Sequence, residues 1–339
     1  MTLALDTHWI WDSWYLHDGT RWHGYYLKAP KSLGDPDLRH FNVSQGHAVS
    51  DDLVSWDHLG TCLAPTESGP AFDDTTTWTG STLRGDDGLW HLFYTGGGSA
   101  ERGMYQRIGH ATSTDLHRWE RVETAGQDAG FCLDLAGPNA EFYEKDHAIG
   151  HWHDRAMRDP WVMRDPDGDG WLMYFTARAP GIAEPNAGGA IGFATSPDLY
   201  TWTLQPPVFV GDYGQLEVPQ VFAVNGQWYC LFCTAADHFS QVRAAATPGG
   251  PVTGSHYLMG DSPRGPWRVA PGFLDGDLPC RRYAARICDT AHHGGEGLVI
   301  MGFADSGKDS FKGYVMDPEP IVIAPDGTLS VQRLSQAAE

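Results

Sequence analysis

Basic residues are scarce in this chain of 339 residues, and it has no long apolar run. Lys and Arg total 23 against 43 Asp and Glu, which gives a formal charge of −20. Such an excess of negative charge repels the phosphates of nucleic acids and of anionic membranes. No segment approaches the roughly 18 consecutive apolar residues of a membrane span. We therefore predict neither nucleic acid nor membrane as a partner.

Targeting and cysteine-based sites are also poorly represented. The first residues, "MTLALDTHWIWDSW", lack a basic region and a cleavage pattern, so the expected location is cytoplasmic. The six cysteines fit reduced, buried thiols. Cys230 and Cys233 lie in the strand-like run "QWYCLFCTA", where positions three apart face opposite ways. A structural role is thus favoured over a metal or redox site, and we expect no cofactor and no metal.

Aromatic residues and glycine, by contrast, are abundant, and they occur in a repeated pattern. Four segments combine a strand, a turn with Ser and Asp, and a strand beginning at Trp: "GHAVSDDLVSWDHLG", "GHATSTDLHRWERV", "GFATSPDLYTWTLQ" and the looser "SHYLMGDSPRGPWRV". Aromatic or apolar strands precede these segments, and a fifth stands near the C-terminus: "RWHGYYLKA", "LWHLFYTGG", "WLMYFTARA", "QWYCLFCTA" and "GLVIMGFAD". One more strand precedes each of those five: "WIWDSWYL", "TWTGSTLR", "RDPWVMRD", "EVPQVFAV" and "YAARICDT".

Five repeats of a four-stranded unit predict an all-β fold, namely a five-bladed β-propeller with antiparallel blades around a central channel. The unit length of roughly 60 to 80 residues leaves room for substantial loops between strands. Too few residues follow the fifth repeat for a C-terminal β-sandwich. We therefore expect a single catalytic propeller domain over residues 1–339.

The triplet Arg-Asp-Pro occurs twice in "MRDPWVMRDP", and the two copies suggest different roles. The second copy, Arg164 to Pro166, continues into "DGDG" like the start of a calcium loop. The twelfth position of that loop is Thr176, where a bidentate Glu is required, so a hairpin turn is the better interpretation. The first copy, Arg158-Asp159-Pro160, opens a predicted inner strand instead.

Inner strands line the channel of a propeller, so residues near their starts meet at one mouth. These strands carry the following polar or aromatic residues: Asp12, Trp78, Ser81, Arg158, Asp159, Glu217, Arg282 and Arg286. A single carboxylate among them could be a solvated turn residue. Three carboxylates from three blades, brought close together, have pKa values that are pushed apart, as acid–base catalysis requires.

The order of these motifs resembles a known family. "WIWDSWYLHDGTRWHGYYL", "GHAVSDDLVSWDHL", "TTTWTGS", "RDPWV" and "LEVPQVF" are similar to the five-bladed β-propeller glycosidases of the invertase, levanase and fructan hydrolase family (family 32). Levansucrases (family 68) are nearly as similar, and family 43 is more distant. The resemblance implies that Asp12 is the nucleophile, Glu217 the general acid/base and Asp159 the stabiliser of the transition state.

The resemblance also implies substrate contacts. Arg158 would hold a substrate hydroxyl or orient a carboxylate. Trp11, Trp14 and Trp78 would form apolar walls for the sugar, with packing between blades as the alternative, and Ser81 is a further candidate. Lys28 stands where the hydrolases carry Gln, and there a cation could select a phosphorylated or acidic substrate unless the side chain faces outward.

The activity implied is retaining hydrolysis of β-fructofuranosidic bonds in sucrose or short fructooligosaccharides. "WDSW" is closer to levansucrases, so fructosyl transfer remains open, as do an inverting pentosidase and a sugar-binding propeller without activity. The expected partner is a small carbohydrate, and the sequence predicts no oligomeric state. His147, His151 and His153 lie in a long loop that we expect to shape the pocket rim, with a metal site as the less favoured interpretation.

Overall fold

Five antiparallel sheets form the molecule in the computed structural model, which describes residues 3–145, 156–274, 282–305 and 311–332. The first strand of each sheet contacts the first strand of the next, and the last of these five contacts the first again. This closed ring confirms the predicted five-bladed β-propeller. The expectation of one domain over residues 1–339 stays a prediction.

The strands are numbered in chain order, and the blades follow the same order. Blade one contains β1 His8–His17, β2 Trp22–Pro30, β3 Ser44–Ser50 and β4 Asp57–Leu63. Blade two contains β5 Thr76–Arg84, β6 Trp90–Gly97, β7 Gln106–Ser113, β8 Glu120–Arg121 and β9 Phe131–Leu133. Blade three contains β10 Arg158–Arg164, β11 Trp171–Arg178, β12 Gly189–Ser196 and β13 Thr203–Val210.

Blade four contains β14 Glu217–Val224, β15 Gln227–Thr234, β16 Gly254–Gly260 and β17 Trp267–Val269. Blade five contains β18 Arg282–Asp289, β19 Leu298–Asp305, β20 Phe311–Val315, β21 Glu319–Ile323 and β22 Leu329–Val331. The helices in the described ranges are short: α1 Gln241–Ala246 and the 3₁₀ turns Lys31–Leu33, Pro36–Phe41, Ser99–Glu101, Ala140–Phe142, Pro185–Ala187, Ala236–His238 and Ala291–His293. None of these helices has the length and apolar character needed to cross a membrane.

The Ser-x-Asp-Leu part of the repeated segment forms the same turn in blades one to three, and the Trp that follows donates to the Leu carbonyl in blades one and three. In blade one, Ser50 Oγ accepts the N–H groups of Asp52 (3.1 Å) and Leu53 (2.8 Å). Leu53 adopts a left-handed conformation with φ 64°, and Trp56 Nε1 donates to its carbonyl at 3.0 Å. The side-chain bonds satisfy backbone groups that leave the sheet at the turn. Because the turn depends on side-chain bonds between nearby residues, the repeat can be recognised in the sequence.

The second Arg-Asp-Pro copy forms the predicted hairpin turn between β10 and β11. The backbone N–H of Asp165 donates to the Gly170 carbonyl at 2.9 Å, and the Asp167 N–H donates to Asp165 Oδ1 at 3.0 Å. Arg264 from blade four donates to the same carboxylate at 3.2 Å. The carboxylates of this segment therefore shape the turn and link two blades.

A contact between the start of the described chain and blade five reinforces the closure of the ring. Leu3 pairs with Val315 of β20, and the Val315 N–H donates to the Leu3 carbonyl at 3.0 Å. Both residues are buried, with 1% and 0% of their surface exposed. The first described residue thus adds a hydrogen bond and apolar contact to blade five.

A buried histidine pair occupies equivalent positions in blades one and two. His91 Nδ1 lies 2.8 Å from His110 Nε2, and His91 Nε2 lies 3.1 Å from the Asp87 carboxylate. His23 and His47 form the same contact at 3.0 Å in blade one. Burial lowers the pKa of both members of each pair, and that of His110 falls to about 3. The four imidazoles of these two pairs are therefore neutral at neutral pH.

We predict that the free energy of unfolding decreases as the pH drops below about 6.5, because these histidines bind protons in the unfolded chain but stay neutral in the folded protein. Each such group contributes up to about 1.4 kcal/mol per pH unit until its folded pKa is reached. Blade three carries Leu172 and Phe193 at the positions equivalent to His91 and His110. The double variant His91→Leu and His110→Phe should therefore reduce the dependence of stability on pH. Urea unfolding between pH 4 and 8 measures it, and equal slopes for variant and wild type would contradict the assignment.

Candidate active site

A β-bulge interrupts the inner strand of every blade near one mouth of the channel. The pairing with the second strand shifts between these residues: Ile10 and Ser13, Trp78 and Gly80, Arg158 and Trp161, Glu217 and Gln220, and Tyr283 and Arg286. Three residues inside the breaks adopt left-handed backbone conformations, namely Asp159 (φ 59°), Val218 (φ 54°) and Ala284 (φ 46°). A bulge re-aims the side chains of its strand, and bulges are frequent beside active sites.

The bulges allow consecutive residues to face one cavity of about 450 Å³. Four adjacent pairs line it: Trp11 and Asp12, Trp78 and Thr79, Arg158 and Asp159, and Glu217 and Val218. In a regular strand one member of each pair would face away. The structure thus brings together the three predicted carboxylates with Arg158, Trp11 and Trp78. The volume lies within the range of small-molecule pockets.

Asp12 is held by a hydroxyl and surrounded by negative charge. Thr79 Oγ1 donates to its carboxylate in a short hydrogen bond. Burial raises the pKa of Asp12 to about 7, and the neighbouring Asp159 and Glu217 carboxylates add to the rise. The Thr79 hydrogen bond and the Arg286 charge favour the ionised form. Asp12 therefore changes charge near neutral pH.

Asp159 is fixed by contacts on both its side chain and its backbone. Its Oδ2 accepts from Thr176 Oγ1 at 2.8 Å and from the Val218 N–H at 3.1 Å, and its own N–H donates to Thr95 Oγ1 at 2.8 Å. Only 3% of the residue is exposed. Burial raises the pKa of Asp159, while Arg158 opposes the rise. The carboxylate is rigidly oriented, as a group that positions substrate must be.

Glu217 has a cation on one oxygen and a hydroxyl on the other. Arg158 Nη2 donates to Glu217 Oε1 at 2.7 Å and to Gln215 Oε1 at 2.8 Å, and the Tyr283 hydroxyl donates to Glu217 Oε2. Burial favours the neutral acid, but the Arg158 charge, the Tyr283 hydroxyl and His238 hold the pKa of Glu217 below its usual value. In the free protein Glu217 is thus ionised at neutral pH.

These pKa shifts run opposite to the simplest expectation for the implied roles. The resemblance implies an ionised Asp12 and a protonated Glu217 at the first step. The structure raises the pKa of Asp12 and lowers that of Glu217. Because both groups lie in one cavity, their protons titrate as a coupled set rather than independently.

Aromatic side chains form walls of the cavity, and Trp11 and Trp78 are among them. Trp11 packs edge-to-face against His40 with ring centroids 6.3 Å apart. Trp78 Nε1 donates to the His40 carbonyl at 2.8 Å, so both tryptophans are anchored by the 3₁₀ turn Pro36–Phe41 between β2 and β3. Phe303 of β19 also lines the cavity. Such flat apolar surfaces suit the faces of a sugar ring.

Three predicted substrate contacts lie elsewhere. Trp14 Nε1 donates to Thr82 Oγ1 at 3.0 Å, and Ser81 Oγ accepts the Val162 N–H at 3.1 Å, so both serve contacts between blades. Lys28 follows the cavity-lining Leu27 and faces the opposite side of β2, beside His8, His58 and Cys62. The proposed role of Lys28 in reading an acidic substrate has no support in its position.

Several cavity residues were not anticipated from the sequence: Thr79, Gln215, Tyr283, Arg39, His40 and His238. Thr79 follows Trp78, and Tyr283 opens the predicted inner strand of blade five, so the motifs already contained them. Gln215 is 1% exposed and its Nε2 has no partner among the described residues, so it can donate to a ligand. Arg39 lies in the 3₁₀ turn Pro36–Phe41 between β2 and β3, where the sequence has no recognisable motif.

Metal binding receives no support from the described part of the chain. Within residues 3–145, 156–274, 282–305 and 311–332, no three His, Cys, Asp or Glu side chains cluster as metal ligands. The candidate loop residues His147, His151 and His153 lie outside the described residues.

Comparisons with known proteins show which proteins this chain is similar to. Residues 12–108 match the family model "Glycosyl hydrolases family 32 N-terminal domain". Sucrose-6-phosphate hydrolase of Escherichia coli is 29% identical over 225 residues, which cover 62% of this chain and 38% of that protein. Extracellular sucrase of Zymomonas mobilis is 26% identical over 292 residues, which cover 75% of this chain and 66% of that protein. The chain thus spans less than two thirds of either relative's length.

Solved structures share the fold over nearly the whole chain. Inulosucrase from Halalkalicoccus jeotgali, bound to kestose, has a TM-score of 0.73 at 22% identity and covers 97% of this chain and 87% of its own. The β-fructofuranosidase catalytic domain of Microbacterium saccharophilum has a TM-score of 0.72 at 17% identity, with 98% and 82% covered. At such identities the likeness establishes the fold. Together the matches confirm the resemblance to the invertase and levansucrase group.

We predict that Thr79→Val raises the pKa of Asp12, because the ionised carboxylate loses a hydrogen-bond donor. A rise of about half to one pH unit is expected for one such bond. Thr79→Ser keeps the hydroxyl and should retain the wild-type value. A ¹³C NMR titration of the carboxyl carbon, assigned with Asp12→Asn, measures the change, and an unchanged pKa in Thr79→Val would refute the role of this bond.

Proposed function

We propose that the protein is a retaining β-fructofuranosidase that acts on sucrose or short fructooligosaccharides. One observation carries the proposal. Carboxylates from blades one, three and four, Asp12, Asp159 and Glu217, converge on one cavity with aromatic walls. Glycosidases use such carboxylates around an oxocarbenium-like transition state. The curated relatives named sucrose-6-phosphate hydrolase and extracellular sucrase support a sucrose-type donor.

In the first step Asp12 attacks the anomeric carbon of the fructosyl unit. The bond from that carbon to the glycosidic oxygen breaks, and Glu217 donates its proton to this oxygen, so that the leaving sugar departs neutral. The product on the protein is a fructosyl ester of Asp12. Asp159, held by Thr176 and the Val218 N–H, accepts hydrogen bonds from fructosyl hydroxyls and stabilises the developing positive charge.

In the second step Glu217, now ionised, accepts a proton from water. The water oxygen attacks the anomeric carbon, the ester bond breaks, and Asp12 regains its carboxylate. Two inversions give fructose with retained configuration. Glu217 begins this step in the ionised form that Arg158 and Tyr283 favour. The site is thus electrostatically prepared for the second step.

The first step requires Asp12 ionised and Glu217 protonated, a distribution of one proton between two groups. In the free protein the same single proton resides mainly on Asp12. The pH dependence of kcat/KM therefore follows the population that holds one proton, whichever carboxylate carries it. Only a fraction of that population is productive, and this fraction falls tenfold for each unit by which the pKa of Asp12 exceeds that of Glu217.

Fructosyl transfer is the second candidate, favoured by the "WDSW" wording around Asp12. A levansucrase from Streptococcus mutans is 25% identical over 179 residues. In a transferase the hydroxyl of an acceptor sugar replaces water in the second step, while every catalytic group keeps its role. The two activities therefore differ in what reaches the ester of Asp12, and product analysis separates them.

We predict that Asp12→Asn abolishes activity, since no ester can form, whereas Glu217→Gln reduces the rate on sucrose by about 10² to 10⁴-fold. Glu217→Gln should form the ester nearly normally from an aryl fructoside, whose leaving group needs no proton. Stopped-flow release of the aryl alcohol measures this. Lys28→Gln, outside the cavity, is a matched control that should keep its activity. Full activity in Asp12→Asn would exclude the mechanism.

Product analysis by NMR tests the reaction itself. Purified protein is incubated with sucrose, sucrose phosphorylated on its glucose unit, short fructans and aryl arabinofuranosides. Fructose released first as the β-anomer supports retaining hydrolysis, and larger fructosyl oligosaccharides support transfer. Inverted product from the arabinoside alone would overturn the fructosidase proposal.

We also predict a bell-shaped pH profile of kcat/KM with its alkaline limb near pH 7. Above that pH the last shared proton is lost, because the pKa of Asp12 is raised to about 7. The acid limb lies below the ordinary pKa of a glutamic acid, because the site lowers the pKa of Glu217. Initial rates at low substrate concentration between pH 3 and about pH 10.5 measure both limbs. An alkaline limb above about pH 9 is incompatible with this assignment.

A further inference from the structure

A second buried guanidinium lies below the floor of the cavity. Arg286 of β18 has 1% of its surface exposed, and its guanidinium carbon lies 5.1 Å from the centre of the Trp161 ring. Its Nη1 donates to the carbonyls of Val218 (3.2 Å) and Pro219 (2.6 Å). Its Nε and Nη2 have no hydrogen-bond partner among the described residues. Burying such a charge is costly unless nearby negative charge compensates it.

The compensating charge comes from the carboxylates of the active site. Asp159 and Asp12 attract the guanidinium and favour its charged form. Burial lowers the pKa of Arg286 to about 10, which leaves it charged at neutral pH. The other titratable groups around it stay neutral because burial raises their pKa values: Cys230, Cys233, Cys288 and Tyr15. Arg286 is therefore the charged group among these side chains at neutral pH.

Arg286 also supports the backbone that presents Glu217. The Val218 N–H donates to Asp159 Oδ2, and the Val218 carbonyl accepts from Arg286. This residue has a left-handed conformation with φ 54°, which is unfavourable for a β-branched side chain. Hydrogen bonds on both sides of Val218 hold the strained segment in place, directly after the candidate acid/base.

We propose that Arg286 is a positioning residue, whose guanidinium holds the bulge after Glu217 and supplies the positive charge that lets Asp12 ionise beside two other carboxylates. The proposal rests on the proposed function, because it assigns Asp12 and Glu217 their roles in the reaction. Arg286 does not touch the reacting atoms. It acts through the bulge and through its field.

The charges of the site explain why Arg158 alone cannot balance the three carboxylates. Asp12, Asp159 and Glu217 carry three negative charges when ionised, and Arg158 and Arg286 carry two positive charges. One shared proton makes this set neutral. Two further groups face Asp12 from the rim and from blade five: Arg39, already engaged by Asp37, and Tyr283, which burial keeps protonated. Without Arg286 the set would favour a second proton, at the expense of ionised Asp12.

The test compares a neutral and a charged replacement. Arg286→Gln keeps a donor for the Val218 and Pro219 carbonyls but removes the charge, and Arg286→Lys keeps the charge. In Arg286→Gln the alkaline limb of kcat/KM should move up by about one pH unit, and the rate at the optimum should fall about tenfold. At pH values above the alkaline limbs of both proteins, the kcat/KM of Arg286→Gln should approach that of wild type, because kcat/KM there depends on the pKa of Glu217 alone. Arg286→Lys should keep the wild-type limb.

Arg282→Met is the matched control for lost folding stability. Arg282 is buried on the same strand but pairs with Glu319, so its loss should lower the melting temperature without moving the limb. An unshifted limb in Arg286→Gln, or an equal loss at every pH in both Arg286 variants, would overturn the proposal. Full activity of Asp12→Asn would instead defeat the proposed function, and this outcome is independent of the Arg286 variants.

Discussion

Three carboxylates confined to one cavity are the constraint on which the site depends. Asp12, Asp159 and Glu217 repel one another where burial already disfavours charge. Two buried guanidiniums answer this repulsion from different sides, Arg158 by direct hydrogen bonds and Arg286 from below. The remaining imbalance is met by a proton. Acid–base capacity is therefore a consequence of the charge balance and not a property of any single residue.

The bulges of the inner strands supply both the crowding and its remedy. In blades one to four the break turns two consecutive side chains toward the cavity, which places carboxylates from separate blades together. Each break also frees backbone groups from the sheet, and such groups need new partners when buried. The Asp159 N–H finds Thr95, the Val218 N–H finds Asp159, and the Val218 carbonyl finds Arg286. The backbone released by the bulges thus becomes part of the site.

The sequence permitted the fold and the three carboxylates to be predicted, for local reasons. The Ser-x-Asp-Leu-x-x-Trp turn closes through bonds within a few residues, so its repetition marks blades one to three. The positions of Trp14, Ser81 and Lys28 were not predictable in this way. A period of two places Trp14 on the same face as Asp12, but the bulge between Ile10 and Ser13 breaks that period. Arg39 and Gln215 reach the cavity from segments outside the strands, where spacing carries no information about direction.

The distribution of the proton links this geometry to the proposed reaction. Arg158 and Tyr283 stabilise ionised Glu217, which favours the second step, while the cluster retains its proton on Asp12, which opposes the first. The productive arrangement differs from the resting one by moving one proton inside the same cavity, at about 1.4 kcal/mol per unit of pKa difference. No net charge enters or leaves the buried set in that transfer. A third guanidinium beside Asp12, without a carboxylate partner such as the Asp37 that engages Arg39, would remove the proton altogether and leave Glu217 without one to donate. The pair of cations therefore suits the proposed double displacement better than complete neutralisation would.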